Sequence, residues 1–186
     1  AATGRTDSGV VVVGTRSGPR QAEILSHRGG DAVVRVAMGA PRVLGVSSAR
    51  VGRRGFAGLA IDMGNPHLAC VVSGLDPAGL AGLEMSAAPE FDTEFFPEGV
   101  NVEIATPLEG GRIAMRVHER GAGETMSCGT GVVAAASAAL ADAGRTSGEV
   151  VVSVPGGELT VTLDGDGSFL TGPSALVAEG CFRPAR

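Results

Sequence analysis

Not one of the 186 residues is a lysine: all 15 cationic side chains are arginines, and tryptophan and tyrosine are missing as well. A pyridoxal enzyme anchors its cofactor through a lysine Schiff base. These residues cannot supply that anchor, so carbanion chemistry here would run on acid–base groups alone, with no cofactor. Cysteine is scarce. Three of them, Cys70, Cys128 and Cys181, stand at unrelated spacings, which makes neither a disulfide framework nor a zinc site, so no metal is expected. No apolar run approaches the ~20 residues a bilayer span needs, and residues 1–10 lack a basic segment followed by an apolar one, so no leader peptide is expected. The net charge of −5 with no basic stripe argues against a nucleic-acid partner. The expected setting is reduced cytoplasm, without a membrane.

What is present begins with core material. Hydrophobic residues make up 44% of the chain, ample for one domain or two small ones. Val10, Val11, Val12 and Val13 form a β-branched run closed by Gly14, a strand. Residues 21–26 and 31–38 read as two more strands. Residues 43–54 are ambiguous, with Gly and Ser scattered through them. Strands follow at 56–63 and 68–72, joined by Gly64-Asn65-Pro66-His67, where proline pushes Asn65 to an extended conformation. Asp76 followed by Pro77 opens a short helix within 76–85, and 87–97 is a loop carrying Phe91, Phe95 and Phe96. Strand 99–105 places Asn101 and Glu103 on one face. Strand 112–118 turns Ile113, Met115 and Val117 inward and Arg112, Arg116 and His118 outward. Further strands are expected at 150–154, 159–163, 169–170 and 174–179. Between them, residues 131–143 are nearly all Ala, Val and Ser, and a helix apolar on every side is a buried one.

The chain is organised around residues 119–140, ERGAGETMSCGTGVVAAASAAL. Cys128 stands directly before that helix, facing roughly half a positive charge from the aligned peptide dipoles. Such a place favours thiolate and draws a thiol from a pKa of ~8.5 towards ~7. Gly129, Thr130 and Gly131 leave backbone N–H groups bare for an anion. A buried structural cysteine is the plainer alternative, and the neighbouring glycines with Glu119, Arg120 and Glu124 upstream weigh against it. His67 taken alone reads first as a turn histidine bonded to a backbone carbonyl, and only second as a functional group. Cys70, three residues past His67, points to the opposite face of its strand and reads as a small core residue.

Three motifs carry a family resemblance: GNPH at residues 64–67, VNVE at 100–103 and ERGAGETMSCGTG at 119–131. Together they resemble the diaminopimelate epimerases, over most of the chain from Val10 to Glu179. The resemblance implies an α+β fold of two pseudo-symmetric halves, each a β-barrel around a central buried helix, with one cysteine from each half facing a cleft. This chain resembles the second half plus the end of the first: 1–42 as the remainder of the N-terminal half, 43–167 as the C-terminal half, and 168–186 as a return strand and tail. It has CGTG but no upstream CGNG, the motif of the first cysteine.

The resemblance further implies epimerisation of LL-2,6-diaminopimelate to the meso form, a step towards lysine and peptidoglycan precursors. Cys128 would be one of two acid/base thiols. Gly129 and Thr130 would hold the α-carboxylate through their N–H groups. His67 and Glu119 would contact the α-amino group and tune the thiols, and Asn65, Asn101 and Arg120 would grip the distal end. Arg120 suits this because its planar fork matches a carboxylate. A homodimer is a candidate assembly. The chain alone is expected to be inactive without the missing N-terminal half. Three other readings stay open: a proline or hydroxyproline racemase, which binds one carboxylate; a hydrolase or acyltransferase with a Cys128 nucleophile; and a non-catalytic amino-acid-binding domain.

Overall fold

The computed structural model describes residues 9–15, 18–165 and 167–181. Its contacts divide the chain into two compact units, Ala1–Val36 with Thr171–Arg186, and Ala37–Leu170.

In the first unit the valine run becomes β1 (Val10–Thr15), paired antiparallel with β2 (Gly18–Arg28), which pairs in turn with β3 (Asp31–Ala37). A bulge between Ile24 and Ser26 shifts the β2–β3 register. The returning chain is tied in by Leu176, whose N–H donates to the Gly30 carbonyl at 2.8 Å.

The second unit opens with three antiparallel strands, β4 (Arg42–Val51), β5 (Arg54–Asp62) and β6 (Pro66–Val71). The ambiguity of 43–54 resolves as most of β4, a two-residue turn and the first residue of β5, with a register shift between Val43 and Gly45. Helix α1 (Pro77–Ala81) is capped by Asp76, whose carboxylate accepts from the Gly79 N–H at 2.7 Å. The aromatic loop contains a two-residue strand, β7 (Glu90–Phe91), paired with Ala49 and Arg50. Strand β8 (Asn101–Ala105) lies parallel to β6, β9 (Arg112–Glu119) antiparallel to β8, and β10 (Gly123–Thr125) antiparallel to β9. Helix α2 (Gly129–Asp142) follows, then β11 (Gly148–Val154), parallel to β9, and β12 (Gly157–Asp164), antiparallel to β11. Strand β13 (Gly167–Ala175) closes the chain's regular structure.

The sheet is buried on both faces where it matters. Helix α2 packs against β5, β6, β8, β9, β11 and β12. Its Val132, Val133 and alanines meet Ile61, Ile113, Met115, Val117, Val150, Val152 and Val161 in one core. Leu68, Cys70, Val102 and Ile104 point the other way, into a second core with Phe56, Leu80, Met85 and Phe96. Burying each such aliphatic side chain contributes about 1.5–3 kcal/mol. Among the described residues no helix is long and apolar enough to cross a membrane.

Three local expectations are corrected. The outward face of β9 is exposed at Arg112 but covered towards its end, where α1 and the segment after it fold over Arg116 and His118. His118 is buried and donates from Nδ1 to the Met85 carbonyl at 2.9 Å. Arg116 donates to the carbonyls of Leu80, Ala81 and Leu83 and to Glu124. The strands expected at 169–170 and 174–179 are one strand, β13, ending at Ala175; beyond Leu176 the backbone finds no ladder partner among the described residues, and Val177 is exposed. The alanine-rich helix starts two residues earlier than expected, leaving Cys128 as its N-cap with extended backbone (φ −127°, ψ 110°).

Candidate active site

The parallel register of β6 and β8 places His67 beside Asn101 and Ala69 beside Glu103. Period-two alternation then turns His67, Asn101 and Glu103 to the α2 side and Leu68 and Cys70 away from it. His67 Nδ1 lies 2.6 Å from Glu103 Oε1, and both side chains are fully buried. His67 Nε2 and Glu103 Oε2 have no hydrogen-bond partner among the described residues. Burial raises the Glu103 carboxyl above its ordinary range, while the charge and hydrogen bond of His67 oppose that rise. The pair also explains a glycine. A Cβ on Gly131 would stand 2.5 Å from Glu103 Oε1, so only glycine lets the first turn of α2 rest on the carboxyl group.

Cys128 caps that same turn. Its sulfur lies 3.5 Å from the Thr130 hydroxyl, and the residue is 8% exposed. The expectation of a lowered thiol pKa is corrected. Burial pushes the Cys128 thiol up, outweighing the Thr130 hydroxyl and the Gly131 N–H, which favour the thiolate, while Glu103 and Glu119 add to the rise. Taking a thiolate out of water costs more than the helix start returns when two carboxylates stand nearby. The surroundings of Cys128 thus favour its S–H form over the thiolate.

The end of β9 and the turn after it carry two further candidates, Glu119 and Arg120. Glu119 Oε1 accepts from the Thr125 hydroxyl across the β9–β10 pair. Buried Asn101 accepts the Arg120 N–H on Oδ1 at 2.9 Å. The Arg120 side chain is exposed and donates to the Glu98 carbonyl at 3.0 Å. Asn65 is half-buried in the turn before β6, where its carbonyl accepts from the Met63 N–H at 3.1 Å. Gly129 and Thr130 occupy the first turn of α2, both half-buried.

Hydrogen bonds thus link His67 to Glu103, Asn101 to Arg120, Glu119 to Thr125 and Cys128 to Thr130. Glu103 and Glu119 both act electrostatically on Cys128. No hydrogen bond ties Asn65 to the other candidates. Among the described residues no group of three His, Cys, Asp or Glu side chains is placed to hold a metal. The sequence reading passed over Glu103 and Thr125 as working parts, and gave Gly131 a backbone N–H for an anion but not its place against Glu103. The signal for Glu103 was in the sequence, since a carboxylate two residues from Asn101 in an otherwise apolar strand must find a buried partner.

This arrangement can give and take a proton at one sulfur, accept a cationic donor at an imidazole nitrogen and hold an anion at a helix start. Residues 59–177 match the sequence profile of the family described as "Diaminopimelate epimerase". The chain is 57% identical over 177 residues to a diaminopimelate epimerase of Corynebacterium glutamicum, covering 95% of this chain and 64% of that protein. It is 54% identical over 177 residues to the one from Corynebacterium aurimucosum, covering 95% and 63%. The chain thus spans about three fifths of the length of these curated relatives. Among solved structures, a probable proline racemase from Agrobacterium radiobacter superposes with a TM-score of 0.60 at 18% identity, over 96% of this chain and 64% of the other. A "Predicted Epimerase" from Pseudomonas aeruginosa gives 0.59 at 12% identity, over 95% and 70%. At such identities these two speak to the fold alone.

Proposed function

The chain belongs to the diaminopimelate epimerase family, and from that premise we propose that it supplies one half of an enzyme converting LL-2,6-diaminopimelate to its meso isomer without a cofactor. Its second unit is then a barrel-like half with α2 as the central helix, and the opposing thiol belongs to the part of the relatives' length that this chain does not span. Cys70 is a poor candidate for that thiol: it is sealed in the second core with its pKa pushed up to about 12, by burial first and by Glu103 next.

The observation that carries the reading is Cys128 at the start of α2, with Thr130 on its sulfur and two carboxylates nearby. Inversion removes the α-proton on one face and returns a proton on the other. Burial keeps Cys128 protonated, so in the first turnover Cys128 is the acid and the opposing cysteine, as thiolate, is the base. The base takes the α-hydrogen as a proton, leaving its electron pair on carbon. The Cys128 S–H then gives its proton to that carbon, and Cys128 ends as thiolate. In the reverse direction the roles exchange. Proton transfer by a group positioned in this way contributes about 10²–10⁴-fold.

Around the reacting carbon, the N–H groups of Gly129 and Thr130 hold the α-carboxylate, and His67 and Glu119 meet the α-ammonium. Asn65, Asn101 and Arg120 hold the distal amino-acid head. Asn101 has its oxygen committed to the Arg120 backbone, so its amide nitrogen faces the ligand. The 186-residue chain alone does not turn over, and a homodimer of the complete protein is the proposed assembly. The test is an assay of the full-length protein with LL-diaminopimelate in heavy water, with proline and hydroxyproline alongside. The expected result is meso-diaminopimelate carrying deuterium at the α-carbon, and no exchange of proline. Proline inversion without diaminopimelate inversion would overturn the assignment.

A further inference from the structure

Glu103 sits in the middle of β8, fully buried, with no role among the residues assigned above. Its Oε1 is 2.6 Å from His67 Nδ1 and lies where a Cβ on Gly131 would collide with it, so the carboxyl group is wedged between an imidazole and the first turn of α2. The bond has two chemically distinct forms. An ionised carboxylate only accepts, so the proton then sits on His67 Nδ1 and Nε2 carries a lone pair. A protonated carboxyl would donate to Nδ1 and leave the ring's one proton on Nε2. Burial favours the second form; the imidazole and the positive end of α2 favour the first. The unpartnered, fully buried Nε2 is the atom whose character the choice decides.

We propose that Glu103 is a positioning residue that fixes His67 as the Nδ1–H tautomer, so that Nε2 presents a bare lone pair to a cationic N–H donor, the α-ammonium of an amino-acid substrate. This rests on the reading above that His67 meets the α-amino group. The carboxylate behind the ring makes Nε2 a stronger acceptor, as in the carboxylate–histidine pairs that orient metal-bound imidazoles. The Nε2–H form would instead turn a donor towards a donor. The carboxylate also keeps negative charge near Cys128, which favours its S–H form and so its part as the acid.

The direct test is the imidazole ¹⁵N spectrum of the uniformly labelled 186-residue chain near neutral pH, with His67→Gln to assign the signals. Expected is a His67 Nδ1 shift in the protonated range and an Nε2 shift in the unprotonated range. In Glu103→Gln the amide can donate as well as accept, so the single tautomer is expected to give way to a mixture. In Glu103→Asp, which keeps the charge, the wild-type tautomer is expected to return at least in part. A wild-type His67 protonated on Nε2, alone or together with Nδ1, overturns the proposal, as does a Glu103→Gln spectrum identical to wild type. Should Glu103→Gln fail to fold, the wild-type spectrum decides. In the full-length protein, saturating LL-diaminopimelate is expected to move the Nε2 signal towards the hydrogen-bonded range; an unmoved signal under saturation overturns the ligand assignment. The tautomer is read without substrate, so failure of the diaminopimelate reading appears in turnover and leaves this measurement unaffected.

Discussion

Two regions of the second unit each hold a buried cysteine, and the contrast between them sets the proposed acid apart from a core residue. Cys70 lies inside β6 with no exposure, its sulfur 4.0 Å from the Leu68 carbonyl, among Leu68, Val102 and Ile104. Cys128 caps α2 with a trace of exposure, a hydroxyl on its sulfur and a backbone N–H facing it. Burial raises both thiols, and Glu103 raises both further. The difference is that Cys128 has groups able to stabilise its anion once formed and Cys70, among the described residues, has none. Desolvation by itself gives an inert sulfhydryl, whereas desolvation with donors gives one that can pass a proton on.

The largest test of that contrast is in catalysis. Cys128→Ala in the full-length protein is expected to lower kcat by about 10²–10⁴-fold. Cys70→Ala should leave kcat within about twofold while lowering stability by about 1 kcal/mol. Steady-state kinetics beside urea denaturation checks both, and equal losses of kcat would erase the distinction. Next is Gly131→Ala. In an ordinary helix interior the change gains about 0.8–1.0 kcal/mol. Here the added methyl would meet Glu103, and overpacking of this kind costs about 1–3 kcal/mol; a stabilised variant would mean that the carboxyl does not lie against α2.

Smaller effects come from alkylation. The thiolate is the reactive form, and a raised pKa means that it appears only as pH rises. Iodoacetamide should modify exposed Cys181 first, Cys128 only well into alkaline solution, and Cys70 only on unfolding, followed by peptide mass spectrometry. Rapid labelling of Cys128 at neutral pH would contradict its assignment as a resting acid. The smallest expected change is in Glu103→Gln. Removing that negative charge lowers both thiol pKa values, so the Cys128 labelling curve moves to lower pH while Cys70 stays silent. A shift to higher pH would reverse the sign of the interaction.

Much of this was legible in the sequence. Period-two alternation separated His67 from Cys70, and the all-apolar stretch after Cys128 marked a buried helix, the one that packs against six strands. The sequence could not show what covers each face. His118 and Arg116 alternate as outward residues do, yet α1 packs over them, a long-range fact that no local period carries. The thiol's pKa was misjudged for the same reason. The helix start is visible in CGTG, whereas the burial that overcomes it comes from a core drawn from many strands, and one of the two carboxylates, Glu103, stands 25 residues before the sulfur on β8. Glu103 was in plain view within VNVE, but its partner His67 is 36 residues away, so only the β6–β8 register joins them.

The measurement closest to the central claim is solvent deuterium entering the α-carbon of LL-diaminopimelate, followed by mass spectrometry, with full-length protein and its Cys128→Ala variant side by side. The account predicts one deuterium for each centre inverted by the wild type, and loss of inversion in the variant. Deuterated meso product formed at the wild-type rate without that sulfur would contradict it.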